Sequence, residues 1–260
     1  MTFSPNGIIT FSSDFGTADG YAAAMKGCAL SISEELKVQD ISHDIPSWDI
    51  RRAAFALWTA VPLFPPGSVH VVVVDPGVGT DRAALIALTH GQVIVAPDNG
   101  ILSLLMKRDP STQAFFSPEM DPVSTTFHGR DVFAPCGAQI AAGLLPVPGG
   151  LVPLEGPVQF ATGHDVGEKE IRGTILCSDK FGNLITSVPW NSIADPSSAQ
   201  VLIGTQVIET LAKTFGDHEE GSLVFLKGSS GLLEISCVQG SAKELCNRSA
   251  GATVQVSLKN

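Results

Sequence analysis

Asp75 closes an apolar run, Val69-His70-Val71-Val72-Val73-Val74, and opens a polar one, Pro76-Gly77-Val78-Gly79-Thr80-Asp81-Arg82. A carboxylate there can accept a proton, and an arginine a few residues on can keep it ionised. His128 lies in Thr125-Thr126-Phe127-His128-Gly129-Arg130-Asp131, directly before an expected helix. Its ordinary pKa near 6.5 suits proton transfer. An acid and an arginine on one loop with a histidine on another are the parts of a site that activates a water or another weak nucleophile.

Three further loops concentrate polar groups. Ser13-Asp14-Phe15-Gly16-Thr17-Ala18-Asp19 follows the first expected strand. Its carboxylates suit vicinal hydroxyls, since each accepts two hydrogen bonds, and they equally suit helix capping. Asp40-Ile41-Ser42-His43-Asp44-Ile45-Pro46-Ser47-Trp48 reads as a turn whose tryptophan either stacks on a flat ligand or joins the core. Ser178-Asp179-Lys180-Phe181-Gly182-Asn183-Leu184-Ile185-Thr186 reads as a hairpin turn. No GxSxG, HExxH, P-loop or GxGxxG signature is present. His43, His70, His90 and His128 are scattered without ligand spacing, so neither a metal nor a cofactor is expected.

The elements that must position these loops alternate. Gly7 to Ser12 reads as a strand, Tyr21 to Ser31 as a helix, Leu36 to Ile41 as a strand and Asp49 to Val61 as a helix. The strand ending at Val74 follows, then paired strands Ala84 to Leu88 and Gln92 to Ala96 around His90-Gly91, a short helix from Ile101, and a helix over Asp131 to Gly143. This predicts an α/β domain with a central, mostly parallel sheet, whose ligands gather beyond the carboxyl ends of its strands. A Pro/Gly-rich connector, Leu145 to Pro153, precedes a change of pattern. Beyond it come short strands: Ile171 to Cys177, Asn183 to Val188, Val201 to Ile208, Ser222 to Lys227, Leu232 to Ser236 and Thr253 to Leu258. With one helix near Ala242 to Arg248, they predict a small all-β barrel. We expect a catalytic domain over residues 1–160 and a barrel domain over residues 161–260.

Composition narrows the classes. A net charge of −10 argues against a nucleic-acid surface and suits a cationic small molecule. Five cysteines without CxxC spacing fit reduced thiols in the cytoplasm. No leader peptide is expected, and no apolar run approaches the ~20 residues of a membrane helix. No membrane partner is therefore expected.

Taken in order, Ser13 to Thr17, Asp40 to His43, Val74 to Thr80, Pro97-Asp98-Asn99-Gly100, Phe127 to Asp131 and Asp179 to Thr186 resemble the S-adenosyl-L-methionine hydroxide adenosyltransferases, relatives of the fluorinase and chlorinase. The resemblance runs from about Ile8 to Val256. It implies cleavage of S-adenosyl-L-methionine to adenosine and L-methionine, an α/β domain joined to a β-barrel, and a homotrimer with sites between subunits. The family's Asp, Arg and His triad falls on Asp75, Arg82 and His128. Asp14 matches the ribose-binding carboxylate, with Asp19 and Trp48 near the ribose and methionine portions. Asp179 and Asn183 match the ammonium contacts and Ser229 the methionine carboxylate contact, while Phe127 walls the reacting carbon. The halogenases carry Tyr where Asp75 stands and Ser where Gly129 follows His128. Gly240-Ser241-Ala242 departs from the family's Gly-Asn-Ala and leaves the adenine contacts unassigned. The competing readings are a non-catalytic sensor of the same ligand, a halogenating adenosyltransferase and a metal-dependent hydrolase.

Overall fold

The computed structural model describes residues 3–117, 122–167 and 170–258. It divides into two compact units, residues 1–160 and 161–260.

In the first unit the described strands are β1 (Ile8–Ser13), β2 (Lys37–Ser42), β3 (Val69–Val73), β4 (Ala84–Thr89), β5 (Gln92–Pro97) and β6 (Gln113–Phe116). The helices are α1 (Tyr21–Ile32), α2 (Ile50–Ala60), α3 (Ser103–Arg108) and α4 (Ala134–Ala141). The sheet order is β2-β1-β3-β5-β4-β6. The β2-β1, β1-β3 and β3-β5 pairings are parallel, whereas β5-β4 and β4-β6 are antiparallel. The sheet is therefore mixed, not parallel throughout. The hairpin at His90-Gly91 reverses β4, and β6, a short strand with no clear sequence signal, extends that edge.

Alternation through β3 and Val74 explains a run that is apolar apart from His70. Val69, Val71 and Val73 enter a core with Met25 and Ala29 of α1 and Ala138 and Ile140 of α4. Val72 and Val74 enter the opposite core with Ala53 and Leu57 of α2 and Leu105 of α3. A strand covered on both faces favours apolar side chains on each of them, and each such burial contributes roughly 1.5–3 kcal/mol. Helix α4 lies so close to the sheet that a Cβ on Gly137 would run into Cγ2 of Val71.

The chain leaves β1 for β2 on one side and later places β3 on the other. The carboxyl ends of β1 and β3 thus border the crevice at the point where the strand order reverses. Asp14 follows β1 directly, and Asp75 lies just beyond β3.

The single helix expected over Asp131 to Gly143 begins instead as a π-helical turn, Gly129–Phe133, that runs into α4. Pro135 lacks an N–H for the carbonyl four residues back, and its ring crowds that carbonyl, so a wider turn fits there.

The second unit contains β7 (Asp165–Val166), β8 (Glu170–Ser178), β9 (Leu184–Pro189), β10 (Ala199–Ile203), β11 (Gln206–Ile208), β12 (Leu223–Lys227), β13 (Leu232–Cys237) and β14 (Thr253–Leu258), with the short helix α5 (Ala242–Cys246). The order is β11-β10-β14-β8-β9-β13-β12, with β7 on β8, and every pairing is antiparallel. Past β11, Phe225 of β12 donates to the Thr210 carbonyl at 2.9 Å and accepts from the Ala212 amide at 3.0 Å. These bonds nearly close the sheet into a barrel around Ile175, Val188, Val201, Phe225, Leu233 and Val254. The strand expected over Val201 to Ile208 is two strands. Ile203 pairs with Gln206 across a two-residue turn whose Gly204 sits at φ +60°.

Among the described residues, no helix is long and apolar enough to cross a membrane.

Candidate functional site

The loops after β1 and β3 and the turn before α4 enclose a cavity of about 250 Å³. Asp14, Phe15, Trp48, Asp75, Phe127, His128 and Gly129 all line it. Val78, Thr126 and Ser47 also line it, and no feature of their sequence context distinguishes them.

Arg82 sits behind the cavity and holds two of its walls. Its Nε donates to both Asp75 carboxylate oxygens, at 3.0 and 2.9 Å, and its Nη2 donates to Asp75 Oδ2 at 2.5 Å. The same Nη2 lies 2.8 Å from Nδ1 of His128. Arginine has no acceptor, so this nitrogen accepts and the proton of neutral His128 is on Nε2. Burial, and then the Arg82 charge, push the His128 pKa below its ordinary value, against the opposing pull of Asp75 and Asp131. The Asp75 side chain is 5% exposed and that of Arg82 12%, so their charges meet where water screens them little. Arg82 also stacks 5.1 Å over the Phe133 ring.

Neighbouring groups fix the backbone around this trio. Asn99, in the Pro97-Asp98-Asn99-Gly100 turn, donates Nδ2 to the Val74 carbonyl at 2.8 Å, directly before Asp75. Asp131 accepts the Ser124 amide at 2.8 Å and so anchors the loop that leads to His128. The Arg130 guanidinium beside Asp131 holds that carboxyl below the usual range. Gly79 has φ +78°, and a Cβ there would lie 2.9 Å from the Thr125 carbonyl, so the loop carrying Arg82 and the one carrying His128 touch at a glycine. A Cβ on Gly129 would meet Met25 Sδ at 3.0 Å and the Phe15 ring at 3.2 Å. Phe15 and Phe127 pack edge to face at 5.7 Å, with Tyr21 5.3 Å from Phe127.

Asp14 accepts the Trp48 amide at 2.8 Å. Trp48 adopts φ +64°, uncommon for a bulky residue, and is 72% exposed. This excludes the core reading of its side chain. Asp19 is exposed in the bend before α1 and does not line the cavity.

The remaining candidates belong to the second unit. Asp179 Oδ1 accepts the amides of Phe181 and Asn183 at 2.9 Å each, and its Oδ2 accepts Asn183 Nδ2 at 2.8 Å. The loop is thus the turn that its composition predicts, with Gly182 at φ +84°. Ser229 is exposed in the turn between β12 and β13. A cavity of about 680 Å³ in this unit is lined by Phe181, Asn183, Phe215, Gln239, Ser241 and Glu244. Among the described residues, no group of three or more His, Cys, Asp or Glu side chains is arranged to hold a metal ion.

The chain matches the SAM hydroxide adenosyltransferase N-terminal domain over residues 9–147 and the C-terminal domain over residues 173–255. It is 38% identical to a Thermus thermophilus protein named (R)-S-adenosyl-L-methionine hydrolase, over 95% of this chain and 98% of that one. It is 28% identical to a fluorinase from Nocardia brasiliensis, over 96% and 97% of the two chains. An uncharacterised conserved protein from Thermotoga maritima superposes with a TM-score of 0.85 at 30% identity, covering 96% of this chain and 99% of that one. Matches to both domains, in order and over most of the chain, place it: the protein belongs to the SAM hydroxide adenosyltransferase family.

Proposed function

We propose that this protein hydrolyses S-adenosyl-L-methionine to adenosine and L-methionine by attack of water on C5′. The observation that carries the reading is that Arg82 joins Asp75 and His128, which both line the first unit's cavity. The relatives' names supply the substrate.

The sulfonium leaves as a neutral thioether and needs no acid. The barrier lies in the nucleophile, which must be deprotonated and aimed along the C5′–S axis. Alignment can supply ~7 kcal/mol or more, and a general base typically 10²–10⁴-fold. Arg82 occupies Nδ1 of His128, so the ring offers its Nε2 proton to the water oxygen and does not act as the base. Asp75 keeps a lone-pair site beyond its three Arg82 contacts and takes the proton. Arg82 orients the Asp75 carboxylate and offsets charge that develops on the oxygen. A carboxylate at this position repels halide, so water is the favoured nucleophile over fluoride or chloride.

Asp14 grips the ribose hydroxyls, Phe127 and Gly129 border the reacting carbon, and Trp48 and Asp19 lie toward the ribose and methionine portions. The first cavity is smaller than the ~300–1,000 Å³ usual for small-molecule sites, so other groups must hold the rest of the substrate. Asp179, Asn183 and Ser229 serve the amino-acid end. The reading includes a homotrimer whose sites combine residues of different subunits, acting in the cytoplasm, where its free thiols stay reduced.

Incubation with S-adenosyl-L-methionine should release adenosine and L-methionine in equal amounts, with no 5′-halogenated nucleoside when halide is added. Binding without release would leave a sensor, and a halogenated product would leave a halogenase.

A further inference from the structure

We propose that His43 is a positioning residue for the ribose grip, and that it acts through Ser13 on Asp14. The proposal rests on the reading of Asp14 given above and goes beyond it by naming what holds that carboxylate in place.

His43 is 5% exposed and lies at the end of β2, beside the carboxyl end of β1. Its Nδ1 is 2.7 Å from Ser13 Oγ, and its Nε2 is 3.1 Å from Asp40 Oδ1. Asp40 in turn holds Lys26 Nζ at 2.9 Å. The His43 carbonyl accepts the Gly16 amide at 2.8 Å, and Ser13 Oγ accepts the Phe15 amide at 3.3 Å. Asp14 is therefore bracketed: the residues at 13, 15 and 16 are all tied, directly or through one hydroxyl, to His43.

One neutral tautomer satisfies every partner. His43 Nε2–H donates to Asp40, the Ser13 hydroxyl donates to Nδ1, and the hydroxyl oxygen still accepts from Phe15. The order Asp–His–Ser invites comparison with a nucleophilic triad, but Ser13 is fully buried and its oxygen is spent on the backbone. The arrangement therefore fixes a loop and performs no attack. Asp14 Oδ2 is already used by the Trp48 amide, so aiming the remaining carboxylate edge at a diol depends on the backbone that His43 clamps.

The test is calorimetric titration of the full-length protein with adenosine and with 2′-deoxyadenosine, which lacks one ribose hydroxyl. Wild type should prefer adenosine by tenfold or more. His43→Ala should reduce that preference to threefold or less while keeping a cooperative thermal melt. His43→Asn, which can still reach Ser13, should restore much of it. In an Asp14→Asn background, His43→Ala should change the preference no further. Ser13→Ala cuts the same link from the other end; should His43→Ala fail to fold, it must lower the preference by itself. A folded His43→Ala that keeps the full ribose preference overturns the proposal, as does equal loss of affinity for both nucleosides. Wild type that neither binds adenosine nor releases it from S-adenosyl-L-methionine overturns the functional reading itself, and this proposal with it.

Discussion

Arg82 donates through Nη2 to Nδ1 of His128 at 2.8 Å while its Nε and Nη2 hold the Asp75 carboxylate. One guanidinium thus spans two loops, orients the carboxylate of the acid and sets the tautomer of the histidine. In the proposed mechanism, this division of labour leaves the proton of the attacking water to Asp75.

Arg82→Lys keeps the charge but loses the planar fork that reaches both partners. A lysine cannot hold both groups in one geometry, so kcat for adenosine release should fall by about 10²-fold or more. The melting temperature should change little. Stopped assays of adenosine with a parallel thermal melt would show this.

His128 must be neutral for Nδ1 to accept from Arg82. Its pKa lies below the ordinary value because of burial and the neighbouring guanidinium. Activity should therefore persist as pH falls through 6.5 and decline only below it. Removing the guanidinium in Arg82→Met should raise the His128 pKa, which NMR titration of the ring protons would register. A fall in that variant would contradict the assigned contact.

Gly79→Ala places a methyl against the Thr125 carbonyl at a residue with φ +78°. Strain of this kind costs about 1–3 kcal/mol. The larger effect should be on kcat, by roughly 10²-fold, because the loop carrying Arg82 moves away from the one carrying His128. Comparing kcat with the urea midpoint would separate the two.

His70 is buried in the sheet, with Nδ1 2.8 Å from Thr10 Oγ1 and Nε2 3.3 Å from Gln92 Oε1. Burial pushes its pKa down to about 4, against the opposing Gln92 contact. Between that value and the unfolded 6.5, the unfolded chain binds more protons than the folded one, so stability rises with pH. It should be fully present above pH 6.5 and fall by roughly 3 kcal/mol as pH drops toward 4. Urea unfolding at several pH values would show that slope, and His70→Gln should flatten it.

The parts of the fold that follow from local chemistry are legible in the sequence. The valine run of β3 needs two covered faces, and Asp49 caps α2 by accepting the Arg52 amide at 2.9 Å. What the sequence conceals depends on distant partners or small backbone shifts. Pro135 disfavours a regular helix at its own position but does not specify that Gly129–Phe133 forms a π-helical turn, and a Gly204-Thr205 turn hides inside an apolar stretch. The link from His43 to Ser13 spans 30 residues, so as a sequence feature His43 reads only as a turn residue. The resemblance groups Asp75, Arg82 and His128 in the sequence; that one guanidinium bonds both of the others is a property of the fold.

The most direct test of the account is turnover of S-adenosyl-L-methionine in ¹⁸O-water with mass analysis of both products. Attack of water on C5′ places the label in the 5′ hydroxyl of adenosine and leaves methionine unlabelled. Unlabelled adenosine, or label in methionine, would contradict it.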